Sequence, residues 1–402
     1  MNNQVKAYSI LLFILWPFSA VLIGIRYFDF KFARNLIIAS FLFLGFTADQ
    51  SGDLEFYAAQ LYISSIDNIY ILFNQLVHLK ASKFFTDFSS IIFSVFNSHQ
   101  IYFSFLFGLF GYFLVNSINI LRIKKISKSN FTSIFYFLTF AFFYSIVNIF
   151  NYAFYMGAIY FLFYILKFIF SEKKSKYLFF IFLTPLFHIG LAPMLIIPFC
   201  IYLFKQNTKW YILLLILSTT LSQTFLITNL ESGISESETV LNEKFKSYAS
   251  SEGQESLELR YSEGYKAGNL NYKLSRTSKE LVNYFAIPLI LLFLYLNKKI
   301  ITRDKISLDL FNISIACLSI TSLMLNISQG NRFFNISGFM ILAAFIYVAQ
   351  KFKLSSFKYK ILIYLGVPVV LLTNIISLIM AKNFIGIEFV FSNFPIQFYE
   401  NP

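Results

Sequence analysis

Residues 229–280, NLESGISESETVLNEKFKSYASSEGQESLELRYSEGYKAGNLNYKLSRTSKE, form the most polar stretch of a chain that otherwise consists mainly of long apolar runs. This stretch holds sixteen of the 53 charged residues in about an eighth of the length. Polar groups at this density cannot lie in hydrocarbon, where each unsatisfied group costs several kcal/mol. We therefore expect 229–280 to face water and the apolar runs on both sides of it to lie in a membrane.

The composition excludes an ordinary soluble enzyme. The 402 residues are 57% hydrophobic and 13% charged, with a mean hydropathy of +0.65. Soluble domains are about 45–50% apolar and about 25% charged. The composition predicts an all-α polytopic integral membrane protein. Two cysteines inside apolar runs and three scattered histidines show no metal-ligand spacing, so we expect no Cys/His metal cluster and no cofactor.

Apolar runs of spanning or near-spanning length predict about twelve transmembrane helices in a single membrane domain, 1–402. The first run is interpreted as a membrane span rather than a cleaved signal. The candidate spans are 8–25, 34–47, 101–121, 131–147, 152–170, 177–188, 190–204, 210–228, 281–296, 307–327, 333–350 and 360–381.

The lysines and arginines predict the orientation of these spans. Twenty of the 33 basic residues lie in six short loops, and those are every second loop. By the positive-inside rule the six loops are cytoplasmic, both termini are outside, and the long loops 48–100 and 229–280 face outward. Because the charge alternates between loops instead of forming one basic face, we expect no nucleic-acid partner. The residues are Arg26, Lys31, Arg34; Arg122, Lys124, Lys125, Lys128; Lys173, Lys174, Lys176; Lys205, Lys209; Lys298, Lys299, Arg303, Lys305; Lys351, Lys353, Lys358 and Lys360.

Two regions of this topology are unusual. The loop 48–100 contains apolar patches at 69–73 and 91–96 that are too short to span, which predicts helices lying in the interface. The run 177–204 is long for one span and short for two, and the charge alternation favours two short passes. The turn between these passes would then be recessed below the outer surface. That arrangement predicts His188 in an outward-facing cavity, although a histidine packed in the core is the simpler alternative.

Charged residues beside outward turns are the candidates for chemistry. Arg332 lies in the short turn 328–334, SQGNRFF, where it either lines a wet functional cavity or anchors the helix at the interface. The segment 49–57, DQSGDLEFY, supplies three carboxylates. Asp53 among them could act as a general base or bind a divalent cation, or the segment could simply be a solvated loop start. Asn151 marks another tight outer turn, where helix capping is the simpler role.

The chain resembles the O-antigen polymerases of the Wzy type, and more narrowly the EpsG-like branch of polysaccharide polymerases. The resemblance rests on four short motifs that share the predicted outward side. These are Gly52-Asp53-x-x-x-Tyr57, Pro185-Leu-Phe-His188, Lys246-Ser-Tyr248 and Gly330-Asn-Arg332-Phe.

The resemblance implies a glycosyltransferase in the bacterial inner membrane that polymerises O-antigen repeat units. It would transfer a glycan from undecaprenyl pyrophosphate to the non-reducing end of another lipid-linked repeat unit. Arg332 would hold the pyrophosphate leaving group, and Asp53 or His188 would activate the acceptor hydroxyl. Expected partners are the undecaprenyl-pyrophosphate-linked oligosaccharide, membrane lipid and a chain-length regulator protein. The candidate substrate-binding residues are Arg260, Arg276, Tyr57, Tyr248 and Asn151.

The chain departs from the family in one respect: relatives often carry an arginine after the fourth span, where this chain has Asn151-Tyr-Ala-Phe-Tyr155. Its predicted outer loops also lack an Arg-x10-Gly motif. Two alternatives therefore stay open. One is an O-antigen ligase-like transferase, which uses the same lipid-linked donor. The other is a lipid-linked oligosaccharide flippase or another transporter, a class in which two matching halves and intramembrane charges are common.

Overall fold

A computed structural model describes residues 3–48, 53–78, 81–123, 152–171, 174–224, 277, 280–325, 330–352 and 357–381. Across these ranges every regular element is helical. The helices are α1 Asn3–Leu15, α2 Pro17–Arg26, α3 Lys31–Phe46, α4 Asp53–Ile63, α5 Asn68–Val77, α6 Phe84–Phe93, α7 His99–Leu121, α8 Tyr152–Phe170, α9 Lys174–Phe182, α10 Ile196–Phe204, α11 Thr208–Thr224, α12 Ile287–Leu296, α13 Lys298–Ile301, α14 Lys305–Met324, α15 Phe333–Lys351 and α16 Ile361–Ala381. The polar stretch 229–280, apart from residues 277 and 280, and the predicted span 131–147 lie outside the described residues.

Four helices in the described ranges are long and apolar enough to cross a membrane. They are α7, α8, α14 and the helical segment Gly330–Lys351, which includes α15. At 1.5 Å per residue the 23 residues of α7 extend about 34 Å, which matches a hydrocarbon core about 30 Å thick. The prediction of an all-helical membrane protein is confirmed at this level.

Helix α8 lies at the centre of the bundle. It packs against α7, α9, α14 and α15, and sixteen of its nineteen residues are buried. Close helix packing elsewhere depends on small residues. A Cβ atom at Gly45 of α3 would lie 2.3 Å from the carbonyl oxygen of Phe103 in α7. Glycine there allows the two backbones to approach directly, as small residues do between membrane helices.

Proline interrupts the first predicted span. The run 8–25 is two helices, because α1 ends at Leu15 and α2 begins at Pro17. Proline has no N–H to donate and disfavours helical backbone at the preceding residue, here Trp16. The loop 48–100 is likewise helical through α4, α5 and α6, and both short apolar patches predicted as helices lie on helical or 3-10 backbone.

The described residues of the basic loops meet at one end of the bundle, which we call the basic end. Arg122, just after α7, forms a salt bridge with Asp29 between α2 and α3. The next residue, Ile123, donates its N–H to Oε1 of Gln350 at the end of α15, with an N···O distance of 3.2 Å. These contacts bring together the ends of α2, α7 and α15.

Two further contacts, a salt bridge and a pair of hydrogen bonds, join loops at the basic end. Lys351 Nζ lies 3.3 Å from Asp304, the N-cap of α14. The buried Asn297, after α12, exchanges two 2.9 Å hydrogen bonds with the backbone of Lys358 before α16. Both contacts join segments that carry the basic residues of different loops, so these loops lie on the same side of the bundle.

Helix α8 and the pair of helices that follows it, α9 and α10, also reach the basic end. Phe170 at the end of α8 stacks edge-on against Tyr347 of α15, with ring centroids 5.2 Å apart. Gln206, just after α10, donates to Asp309 near the start of α14 at 3.2 Å. Because α8 and α15 both end here, their first residues lie at the opposite end of the bundle.

Candidate functional site

The site is built around the first turn of α8, Tyr152–Tyr155, at the end of the bundle opposite the basic end. Tyr57 of α4 is buried there, and its hydroxyl accepts a hydrogen bond from the N–H of Ala153 at 3.4 Å. The first N–H groups of a helix have no partner within the helix, so a side-chain acceptor at this position stabilises the helix start. Tyr57 thereby fixes α4 against the start of α8.

His188 contacts the same turn of α8 from the segment between α9 and α10. Its ring stands edge-on to the ring of Phe154, with centroids 5.5 Å apart and an interplanar angle of 80°. Its Nδ1 atom accepts from the N–H of Gly190 at 3.0 Å, which caps the 3-10 segment Ile189–Leu195. Because Nδ1 is an acceptor, the neutral ring carries its proton on Nε2. His188 is half-buried, so the ring is partly exposed to solvent.

The turn that carries His188 packs below the start of α8. A Cβ atom at Gly157 would lie 2.4 Å from Cδ1 of Leu191 and 2.8 Å from Cβ of Phe187, so the turn presses directly on this glycine. Gly157 is five residues into α8, about 8 Å along the helix axis. The N–H of Ile189 also donates to the carbonyl of Ser82 at 3.0 Å, which ties the turn to the start of α6.

Arg332 approaches the first turn of α8 from a different element. It ends the 3-10 turn Gly330–Arg332, and its guanidinium carbon lies 6.0 Å from the centroid of the Phe154 ring. Phe333 packs edge-on against the same ring at 5.5 Å. One turn later, Asn335 donates its amide to the hydroxyl of Tyr155 at 3.0 Å. Phe154 is therefore a shared neighbour of His188 and Arg332.

Glycine is required at the start of that turn. A Cβ atom at Gly330 would lie 1.6 Å from the carbonyl oxygen of Met324 at the end of α14. Only a residue without a side chain allows the chain to reverse this tightly between α14 and α15. The packing of this turn fixes the position of Arg332 beside the first turn of α8.

A second cation, Lys83, completes the site. Its ammonium nitrogen lies 5.2 Å from the ring centroid of Phe56 and 5.3 Å from that of Tyr57. Among the side chains that the structure describes, which do not include that of Asp53, no carboxylate lies within ion-pairing distance of Lys83 or Arg332. Both cations are held by aromatic faces, an interaction that leaves their N–H donors available to an anion.

Buried phenol groups lie directly beneath these residues. Tyr102 donates its hydroxyl to the carbonyl of Thr86 at 3.0 Å and lies 3.2 Å from Ser89 Oγ. The neighbouring hydroxyl of Tyr152 is buried and makes no hydrogen bond to any described residue. An unsatisfied buried hydroxyl costs about 1–3 kcal/mol.

The two cations of the site, Lys83 and Arg332, favour phosphate or carboxylate ligands. Of the aromatic rings beside them, Phe56 is exposed, whereas Tyr57 and Phe154 are buried. His188 supplies an imidazole, which can accept or donate a proton. Within the described ranges, no group of three His, Cys, Asp or Glu side chains could hold a metal ion.

The structure joins three of the residues that the sequence predicts for the site. Tyr57, His188 and Arg332 all contact the segment Tyr152–Tyr155. Asp53 is the first residue of α4, about one helical turn before Tyr57. The other four candidates lie outside the described residues: Asn151, Tyr248, Arg260 and Arg276.

Sequence reasoning missed several residues of the site. Phe154 and Tyr155 lie in the segment that the sequence marked only as a departure from the family pattern. Asn335 lies two residues beyond the Gly-Asn-Arg-Phe motif, in an apolar helix. A polar residue in a predicted span was the available signal. Lys83 lies in a long loop without any distinguishing pattern, so no signal marked it.

Comparison with known proteins leaves the chain without an assigned family: no protein-family model, no curated protein and no solved structure matches it.

Proposed function

We propose that the chain is a membrane glycosyltransferase that polymerises O-antigen repeat units from a polyprenyl-pyrophosphate-linked donor. One observation carries the proposal. Tyr57, His188 and Arg332, from three distant segments, converge on the first turn of α8 at the end opposite the basic loops. A cation, an imidazole and aromatic faces at one point match the needs of a transfer from a pyrophosphate-linked sugar.

The proposed topology follows from the positive-inside rule. With the basic end in the cytoplasm, about twelve spans give both termini on the outside, and the site opens at the outer face of the bacterial inner membrane. The loop that contains Arg260 and Arg276 would then face the same side as Arg332.

The proposed reaction forms one glycosidic bond and breaks one bond to phosphate. The acceptor hydroxyl oxygen attacks the anomeric carbon of the donor sugar, and its proton passes to His188 or Asp53. The bond from the anomeric carbon to the pyrophosphate oxygen breaks, and that oxygen keeps the electron pair. Arg332 stabilises the developing charge, since preorganised cations and donors are worth several kcal/mol at such a centre. The donor is already activated, so no nucleotide cofactor is required.

The substrates are two lipid-linked molecules, an undecaprenyl-pyrophosphate-linked glycan and a second lipid-linked repeat unit. The exposed aromatic and aliphatic side chains of α5, including Tyr70, Ile71 and Phe73, lie in the same outer segment as Lys83 and suit contact with membrane lipid. A chain-length regulator protein is a further proposed partner.

Deletion of the gene, followed by gel analysis of surface glycan, tests the proposal. Complementation with the wild-type chain should restore the ladder of long chains, whereas Arg332→Ala should leave single repeat units attached. Arg303→Ala, at the basic end, is the matched control and should restore the ladder. Loss of all attached glycan in the deletion strain would indicate a ligase, and lipid-linked units trapped in the cytoplasm would indicate a flippase. Either result would overturn the proposal.

A further inference from the structure

The site contains a second cation, Lys83, which has no role in the proposed reaction. It is half-buried at the N-terminus of α6, and its ammonium group lies over the rings of Phe56 and Tyr57. An ammonium group is strongly hydrated, and a structural lysine at a protein surface normally pairs with a carboxylate or extends into water. Among the side chains that the structure describes, which do not include that of Asp53, no carboxylate pairs with Lys83, so its ammonium group is available to an anionic ligand.

Contacts connect Lys83 to the proposed reaction centre. The adjacent residue, Ser82, accepts the N–H of Ile189, which directly follows His188. The ring of His188 contacts Phe154, and Phe154 contacts Arg332. Tyr57, the ring beneath the ammonium group, also bonds to the first turn of α8. Lys83 is therefore linked to the first turn of α8 through Tyr57, and Arg332 is linked to the same turn through Phe154.

The charge of the proposed leaving group requires more than one cation. A polyprenyl pyrophosphate ester carries a negative charge on each of its two phosphates, and the departing oxygen adds another when the bond to the sugar breaks. Arg332 alone, with one positive charge, would leave most of this charge uncompensated. A flexible lysine near the same turn supplies the second charge.

We infer that Lys83 and Arg332 together bind the pyrophosphate of the lipid-linked donor, and that Lys83 distinguishes a pyrophosphate from a monophosphate. This inference rests on the proposed function. In the free protein the ammonium group rests on the faces of Phe56 and Tyr57. On binding it exchanges this cation–π contact for charge-assisted hydrogen bonds to the second phosphate, which are stronger. The four-carbon stem of lysine permits this movement without a change in the backbone.

Binding of two lipids to the full-length protein in nanodiscs tests the inference. The probes are undecaprenyl pyrophosphate and undecaprenyl monophosphate, with phosphatidylglycerol as the lipid that carries only a headgroup phosphate. We expect the wild-type protein to prefer the pyrophosphate. Lys83→Gln should weaken pyrophosphate binding roughly tenfold and leave monophosphate binding nearly unchanged. Arg332→Gln should weaken both, and Lys83→Arg should retain the preference.

The controls separate this inference from the proposed function. Lys299→Gln, an exposed lysine at the basic end, should bind both lipids as the wild type does. If Lys83→Gln keeps the full preference for pyrophosphate, or loses affinity for both lipids equally, Lys83 has no such role even though the proposed function survives. If the wild-type protein binds neither polyprenyl lipid better than phosphatidylglycerol, the proposed function and the inference both fail. The thermal midpoint of each variant establishes that it is folded.

Discussion

The two ends of the bundle hold their charged side chains in different ways. At the basic end, Arg122 pairs with Asp29, and Lys351 pairs with Asp304. At the opposite end, Arg332 and Lys83 lie over aromatic rings, and no carboxylate among the described side chains, which do not include that of Asp53, pairs with either. The same residue types thus serve to join helices at one end and remain available to an anion at the other.

The difference follows from what each end has to do. A cation paired with a carboxylate that caps or joins helix ends contributes modestly to stability and has little capacity left for a ligand. A cation held over an aromatic ring keeps its N–H donors and its full charge. We therefore expect changes at the basic end to affect stability and changes at the opposite end to affect binding and catalysis.

The largest expected contrast is between two arginines. Arg332→Gln should lower the rate of glycan transfer per folded molecule by roughly 10²–10³-fold, since it removes a donor to a charge that develops in the transition state. Its thermal midpoint in detergent should stay near the wild-type value. Arg122→Gln should lower the thermal midpoint and leave the transfer rate per folded molecule unchanged. The substitution breaks the pair with Asp29, at a cost of about 1 kcal/mol in stability. Transfer rates and melting curves of both purified variants decide the question, and equal effects on both quantities would remove the distinction between the ends.

An intermediate effect is expected at the turn before Arg332. Gly330→Ala places a Cβ atom 1.6 Å from the carbonyl of Met324, so the turn has to shift. We expect a loss of about 1–3 kcal/mol in stability, as for other overpacked sites, together with reduced activity because Arg332 moves. Gly366→Ala is the matched control, since its nearest atom, the carbonyl of Ala286, would be 3.2 Å away. A melting curve for Gly330→Ala that matches the wild type would show that the turn tolerates a side chain.

The smallest expected effect is a pH dependence at the basic end. Burial raises the pKa of Asp304. The N–H and hydroxyl of Ser307 and the ammonium of Lys351 lower it by more, so the pKa of Asp304 lies below its ordinary value. The stabilisation is then complete above the unfolded pKa, about 3.9, and is lost as the pH falls through the lower folded pKa. Melting temperatures from pH 7 down to pH 3 should fall more steeply for the wild type than for Asp304→Asn. The difference at neutral pH should be about 1 kcal/mol or less. Parallel curves for the two proteins would contradict the assignment, and Asp67→Asn at an exposed position serves as the control.

Much of the helical architecture could be predicted from the sequence. Apolar run length indicated α7, α8, α14 and α15, and the short patches in the loop 48–100 indicated α5 and α6. The boundaries were less accurate where proline intervenes. Pro17 divides the first run, and the segment after His188 begins as a 3-10 turn, Ile189–Leu195, that contains Pro193. These details depend on local backbone hydrogen bonds that hydropathy does not report.

The site was predicted only in part. His188 and Arg332 were recognisable because polar residues in tight turns between apolar helices are expensive and need a reason. Lys83 was not recognisable, because a lysine in a long loop is ordinary and only the packing of α6 brings it over Tyr57. Phe154 was indistinguishable from the other phenylalanines of the chain, although it is the ring that His188 and Arg332 share.

The sequence by itself determined that the chain is a helical membrane protein, because hydropathy is a sum over neighbouring residues and needs no knowledge of distant contacts. It also determined which loops carry positive charge. Only the tertiary structure decided which residues meet, since Tyr57, Lys83, His188 and Arg332 come together through packing on α8 that no local pattern encodes. It likewise decided which cations are paired and which are not. Pairing is a matter of a few ångströms between segments far apart in the chain, and that distance is fixed only when the helices are assembled.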